Sequence, residues 1–178
     1  MDKYMIQTPR LGLRRWSKED LTPFAKMNKN SKVMEFFPHT LTDDESNSMV
    51  EKIEAHFDKY GFGFWAVELL DTGEFIGLIG LNIPSFKAQF TPCIEIGWRL
   101  SHEFWGEGYA SEGAKACLDF GFNSLGLSEI FSFTAVVNKK SMKVMEKIGM
   151  EYVGDFLHPK IDKNHRLCKH VLYKISSR

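Results

Sequence analysis

Apolar and polar positions change period several times along the chain, and each change marks an element. Residues 6–15 read as a strand, and Ser17-x-x-Asp20 then has the form of a helix start. Leu21, Phe24, Ala25 and Asn28 follow on one helical face. Phe36-Phe37-Pro38-His39 interrupts that face. Thr42-x-x-Glu45 is a capping box, and Met49, Ile53, Phe57 and Tyr60 behind it form an apolar helical stripe. The period then drops to that of strands over Phe62–Leu69 and Glu74–Asn82, separated by the turn Asp71-Thr72-Gly73. Pro84–Pro92 reads as a loop. Cys93–Leu100 is a further strand with Ile94, Ile96, Trp98 and Leu100 on one side and Cys93, Glu95, Gly97 and Arg99 on the other. Ala110, Ala114, Cys117, Leu118, Gly121, Phe122 and Leu125 then make a helix stripe whose small members allow close approach to a sheet. Glu129–Val137 is a strand. Asn138 caps a helix that runs through Ile148 and stops at Gly149, and two strands at about 150–157 and 167–175 end the series. The order β-α-α-β-β-β-α-β-α-β-β predicts an α+β fold around one sheet.

The junction at Trp105-Gly106-Glu107-Gly108-Tyr109-Ala110 carries the first chemical signal. The first N–H groups of a helix have no internal partner, and the helix dipole adds positive potential there. Glycines let that backbone approach a phosphate, so the stretch reads as a pyrophosphate cradle. A tight turn with close helix packing is the alternative. It is neither a dinucleotide fingerprint, since Ser111 stands where a third glycine is required, nor a P-loop, since no G-K-[ST] follows.

Composition narrows the field. The 178 residues suit one domain, and 43% apolar with 26% charged is a globular profile. Lys plus Arg and Asp plus Glu both number 23, so no basic footprint for nucleic acid exists at the level of the whole chain. Cys93, Cys117 and Cys168 are odd in number and widely spaced, which fits a reducing cytoplasm better than a disulfide framework. No apolar run suggests a signal peptide or membrane span, and the expectation is a cytoplasmic protein. His39, His56, His102, His158, His165 and His170 show no metal spacing, so no metal is expected.

Two blocks identify a resemblance. Trp105-Gly106-Glu107-Gly108-Tyr109-Ala110-Ser111-Glu112 resembles the W-G-x-G-Y-A-x-E signature of GNAT N-acetyltransferases. The run from Asn138 through Ser141, Val144, Glu146, Lys147 and Gly149 to Met150 resembles the family's N-x-x-S-x-x-V/L-x-E-K-x-G-F/M block. Thr8-Pro9-Arg10-Leu11-x-Leu13-Arg14 and Ile94-Glu95-Ile96-Gly97-Trp98 add to the likeness, which spans essentially the whole chain and points to the Rim-type branch, with its acetyltransferases of ribosomal-protein N-termini. The resemblance implies one N-acetyltransferase domain over residues 1–178, a mixed, centrally splayed sheet flanked by helices, and acetyl-CoA as co-substrate. Gly106, Gly108, Tyr109 and Ala110 would hold the pyrophosphate, with Trp105 at the usual Arg/Gln position and Glu107 turned to solvent over an inward N–H. Trp98 and Leu100 would lend backbone bonds to the pantetheine arm, and Gly97 suits the break that admits it.

In such chemistry an amine attacks the acetyl thioester through a tetrahedral intermediate. A lysine amine with pKa near ~10.4 needs more help than an α-amine near ~8. Glu95 is the candidate base acting through water, a solvated or paired strand carboxylate being its bland alternative. Ser141 is the candidate acid for the departing thiol, against ordinary first-turn hydrogen bonding. The tyrosine acid of many family members falls at Met145, which cannot donate a proton. Asn138 is a helix cap, a contact to pantetheine amides, or both. Phe37 and His39 belong to the loop that walls the acceptor site in this family. Gly77, Gly80, Phe64 and Trp65 read as packing and core. The expected acceptor is a primary amine, first a protein N-terminal α-amine. A polyamine or antibiotic amine is second, and a non-catalytic acyl-CoA-binding module is the rival. Monomer and homodimer are both open.

Overall fold

The structure, a computed structural model, describes residues 3–177. Its elements are β1 (Ile6–Gln7), β2 (Leu11–Arg14), α1 (Lys18–Lys29), α2 (Asp43–Tyr60), β3 (Phe64–Leu69), β4 (Phe75–Asn82), β5 (Glu95–Leu100), α3 (Tyr109–Asn123), β6 (Glu129–Ala135), α4 (Lys139–Lys147), β7 (Glu151–Leu157) and β8 (Lys169–Ser176). The strands form one mixed sheet in the order β1-β2-β3-β4-β5-β6-β8-β7, with every pairing antiparallel except β5–β6.

The stretch 6–15, expected as one strand, is a hairpin. Pro9 has no N–H to give a ladder, and the Thr8 N–H donates to Leu11 O at 2.9 Å, closing a turn. Both early helices start as their caps require. The Asp20 carboxylate accepts from the Ser17 N–H at 2.8 Å, and Thr42 and Glu45 exchange the two bonds of a capping box. The buried stripe of α2 is Ser46, Val50, Ile53 and Phe57. Tyr60, expected in that stripe, is 39% exposed and packs on His56 instead, because the helix ends there at left-handed Gly61.

Strand alternation divides the core. Ile79, Leu81 and Ile130 face α3, whose small residues have a measurable reason. A Cβ on Gly113 would lie 2.4 Å from Ile79 Cδ1, and one on Gly121 would lie 2.8 Å from Ile130 Cδ1. Arg99, on the opposite face, reaches Asn28 of α1. Trp65 is fully buried between Phe57 of α2 and Phe120 of α3. A buried network of Arg14, Asp20 and Glu68 ties β2, α1 and β3 together, with Arg14 bonding Asp20 at 2.7 and 2.9 Å and Glu68 at 2.7 Å. Among the described residues no helix is long and apolar enough to cross a membrane, and no group of three metal-ligating side chains occurs.

Candidate active site

The sheet opens between its two parallel strands. β5 and β6 share the single register pair Glu95↔Phe131, closed by the Phe131 N–H donating to Ile94 O at 2.9 Å. Beyond it, Ser132 Oγ donates to Ile96 O at 2.9 Å, a side chain standing in for the lost ladder. Ile94 O and Ile96 O both point toward β6, so alternation turns the N–H and C=O of Trp98 and Leu100 the same way. Trp105 Nε1 takes Leu100 O at 2.9 Å, which leaves the Trp98 peptide groups facing the gap. Gly97, expected at the splaying of the two central strands, lies just past the last β5–β6 register pair, where those strands part, and keeps its pairing with Gly80 of β4. Its missing side chain leaves room for Phe64, whose ring lies 3.1 Å from where a Cβ would stand.

The gap is one wall of a cleft of about 1090 Å³, ample for an extended ligand and an acceptor. At one end lie the glycine loop and the start of α3. Gly106 and Gly108 have φ of +85° and +82°, the left-handed region that only glycine enters cheaply. No protein atom lies within 4 Å of a Cβ built on Gly106. The helix's own ladder begins with the Glu112 N–H donating to Gly108 O, so the N–H groups of Tyr109, Ala110 and Ser111 precede it. Trp105, Gly106, Gly108, Tyr109 and Ala110 line the cleft, as do Lys140 and Lys143 of α4. Glu107 is exposed and outside the lining; its carbonyl accepts from Arg10 Nη2 at 3.1 Å.

The loop is braced from the far end of the chain. Arg10 Nε donates to Glu112 Oε2 at 2.7 Å, Thr8 Oγ1 donates to Glu112 Oε1 at 2.6 Å, and the Arg10 guanidinium lies 4.4 Å from the Tyr109 ring centre. Burial alone would raise the Glu112 pKa, but the Thr8 and Arg10 bonds outweigh it and hold the carboxylate below its usual range. The signature glutamate is therefore a brace that fixes the loop. Arg10 makes this contact across 102 residues of sequence, a distance over which no local pattern signals it.

Glu95, Ser141 and Asn138 all reach the cleft. Glu95 accepts one bond, from Asn82 Nδ2 at 2.7 Å. Burial pushes its carboxyl up to about 7, against the smaller opposing effect of Asn82. Asn138 caps α4, accepting from the Ser141 N–H at 3.3 Å, and gives its two amide hydrogens to Thr134 Oγ1 at 2.9 Å and Ser141 Oγ at 3.1 Å. Internal bonds thus occupy most of its amide. Ser141 Oγ, already accepting, has its own proton to donate. Met145 is buried and lines the same cleft.

Phe37 lines the cleft, while His39 lies outside it, exposed and 3.6 Å from Glu45. Phe64, expected with the core, is a cleft wall. Phe86 and Phe133, without any signal in the sequence, and His158 and His170, expected only in surface or structural roles, also line the cleft, with Phe86–Phe133 centroids 5.4 Å apart and His158–His170 centroids 5.0 Å apart. Burial, then His158, pushes His170 down to about 4, so it stands neutral at pH 7. These residues come from four separate segments and share no sequence pattern. Arg166 Nη2 donates to Glu35 O at 2.8 Å, joining the β7–β8 connection to the α1–α2 loop. Neither Cys93 nor Cys117 offers an activated thiol. Burial pushes Cys93 up to about 11 and raises Cys117 further, and none of the three cysteines lines the cleft.

Comparison with known proteins agrees with this geometry. The family model described as the acetyltransferase (GNAT) domain matches residues 10–151. The protein YkkB of Bacillus subtilis (strain 168) is 32% identical over 151 residues, covering 84% of this chain and 87% of its own. The spermidine N(1)-acetyltransferase of Escherichia coli (strain K12) is 26% identical, covering 82% of this chain and 75% of its own. Among solved structures, a GNAT-family acetyltransferase from Bacillus anthracis superposes with a TM-score of 0.80 at 27% identity, covering 96% of this chain and 97% of that one.

Proposed function

The chain belongs to the GNAT acetyltransferases, and on that premise we propose that it moves the acetyl group of acetyl-CoA directly onto a primary amine in the β5–β6 cleft, with Glu95 as base. Acetyl-CoA supplies an acyl group activated as a thioester. The carrying observation is the placement of Glu95: a carboxyl raised to about 7, facing the cleft at the mouth of the strand opening. A base with pKa near the working pH combines a useful ionised fraction with real proton affinity.

The glycine loop, the leading N–H groups of α3 and Lys140 form a cradle suited to a pyrophosphate. Lys140 also stacks 4.5 Å above Trp105, which fixes the loop's entry. The Trp98 N–H, pointing into the gap, is placed to support negative charge on the acyl oxygen. Glu95 draws the proton from the incoming ammonium through water, and the Ser141 hydroxyl hands its proton toward the leaving sulfur. The absence of an activated cysteine in the cleft favours direct transfer over an acyl-enzyme route.

The proposed acceptor is an α-amine, first that of a protein N-terminus as in the Rim-type branch. Its ordinary pKa near ~8 leaves Glu95 a modest task. A polyamine is the second reading, favoured by the relatives named spermidine N(1)-acetyltransferase. The cleft's charge speaks against it, since Arg99, Lys140, Lys143, Lys147 and Lys160 face a single carboxylate, Glu95. Thiol release from acetyl-CoA across N-terminal peptides, spermidine and an aminoglycoside tests the choice. Peptides outpacing spermidine is the expected outcome, and the reverse order overturns the α-amine reading.

A further inference from the structure

Arg99 has no carboxylate partner among the described residues. It lies on β5 on the same face as Glu95 and Gly97, and it lines the cleft. Nη1 donates to Asn28 Oδ1 at 2.8 Å and approaches Met49 Sδ at 3.7 Å. Phe37 covers the guanidinium, with its ring centre 4.2 Å away. Nε is buried and has no hydrogen-bond partner. Burial pushes the group's pKa down to about 10, so it stays charged at neutral pH. Arg14, also half-buried, is by contrast paired with Asp20 and Glu68.

A desolvated, unpaired guanidinium is costly, and proteins usually neutralise one with a carboxylate. Here the fold does the opposite and holds the cation in place with neutral groups. Asn28 is itself fully buried, and its Nδ2 donates to Ser46 Oγ at 2.9 Å, so the amide that positions Arg99 is fixed by α2. The cation is oriented, half-buried, and left with donor capacity toward the cleft.

We propose that Arg99 anchors an anion on the acceptor, and that the acceptor amine is carried on a molecule bearing a carboxylate. This rests on the acetyl-transfer reading above and names its substrate class. Glu95 and Arg99 are four residues apart on one strand face, about 13 Å between Cα atoms at ordinary strand rise. An acceptor spanning that stretch presents its amine near Glu95 and its carboxylate several bonds away, against the guanidinium fork. The carboxylate belongs either to a small amino acid or to an acidic side chain near a peptide N-terminus. A polyamine has neither.

The test compares matched pairs of acceptors. γ-Aminobutyrate against its amide represents the small amino acids. C-terminally amidated alanyl-glutamate against alanyl-glutamine represents peptides. The wild type is expected to favour the acid of at least one pair by about 10- to 100-fold in kcat/KM, the scale of a hydrogen bond to a charged group, and the favoured pair identifies the source. Arg99→Met should collapse that ratio toward one, and Arg99→Lys, which keeps the charge without the fork, should leave it intermediate. Equal rates on acid and amide by the wild type overturn the proposal without needing a variant. So does a fall in Arg99→Met that strikes both members alike, which means the guanidinium only packs α1 against β5. If no amine is acetylated, the acetyl-transfer reading fails and Arg99 is judged separately by titrating glutarate into the CoA-saturated protein. Saturable binding lost in Arg99→Met supports the anchor, and no binding overturns it.

Discussion

Replacing Glu95 with glutamine should make the protein more stable and less active, with a pH dependence that links the two effects. The folded carboxyl has its pKa raised from its ordinary 4.5 to about 7. A raised acid favours folding in its protonated form. That contribution is fully present below about pH 4.5 and is lost as pH rises through 7. At about 1.4 kcal/mol per tenfold, the interval from 4.5 to about 7 amounts to at most about 3.5 kcal/mol. Glutamine keeps the size, can still accept from Asn82, and never ionises. The variant should therefore match the wild type at pH 4 and exceed it at pH 8, by up to about 7–14 °C in Tm for a chain of this length. Turnover at pH 7 should fall on the order of 100-fold or more, the scale of losing a general base. The wild-type rate limb near 7 should vanish from the variant, leaving only the amine's own ionisation, so the defect shrinks as pH rises. Calorimetric melting and initial rates across pH 4–9 measure both. Wild-type turnover at pH 7, or equal Tm at pH 8, would refute the placement of a half-buried, functional carboxylate at Glu95.

Other residues give sharper partial tests. Asn82→Leu removes the one hydrogen bond to the Glu95 carboxylate and should move the acidic limb of kcat to higher pH, read from the rate profile. Gly108→Val forces a branched side chain to φ +82° at the cradle and should weaken acetyl-CoA binding at least tenfold in calorimetry with the fold retained. Ser141→Ala should lower kcat by about tenfold, since a thiol with pKa near ~8.5 leaves without strong acid help, while acetyl-CoA affinity holds. Glu112→Gln weakens the brace to Thr8 and Arg10 and should lower stability by about 1 kcal/mol at pH 7. Because the folded pKa of Glu112 is depressed, that difference should fade as pH drops below the ordinary carboxylate range.

Elements with a strong local period or a cap were legible in the sequence. The capping box at Thr42 and Glu45, the glycine entrance to α3 and the Asn138 cap all lie where their residue types require. The hairpin at Thr8-Pro9-Arg10 was not separable from one strand, because two short strands leave too few residues for a period to change. Gly97 stands beside the place where β5 and β6 part, but a lone glycine does not say which pairing is lost. The opening belongs to the β5–β6 pairing, and strand pairing across the intervening α3 is a tertiary fact. The site was legible where a motif concentrates it, at the loop and at Asn138–Ser141. It was silent where the cleft is assembled from distance, as with Asn82, Arg99, Phe86 and His170. His39 sat in the right loop but points away, toward Glu45, while Phe37 beside it faces the cleft.

Direct transfer in this cleft is tested most closely by one rapid-quench experiment. The protein, loaded with isotopically labelled acetyl-CoA, is mixed with an N-terminal peptide, and both peptide and protein are weighed by mass spectrometry through a single turnover. The labelled acetyl group is expected on the peptide α-amine from the earliest time, none on the protein, and a slower rise in Glu95→Gln. Label passing first through the protein, or never reaching the amine while CoA is released, would contradict the account.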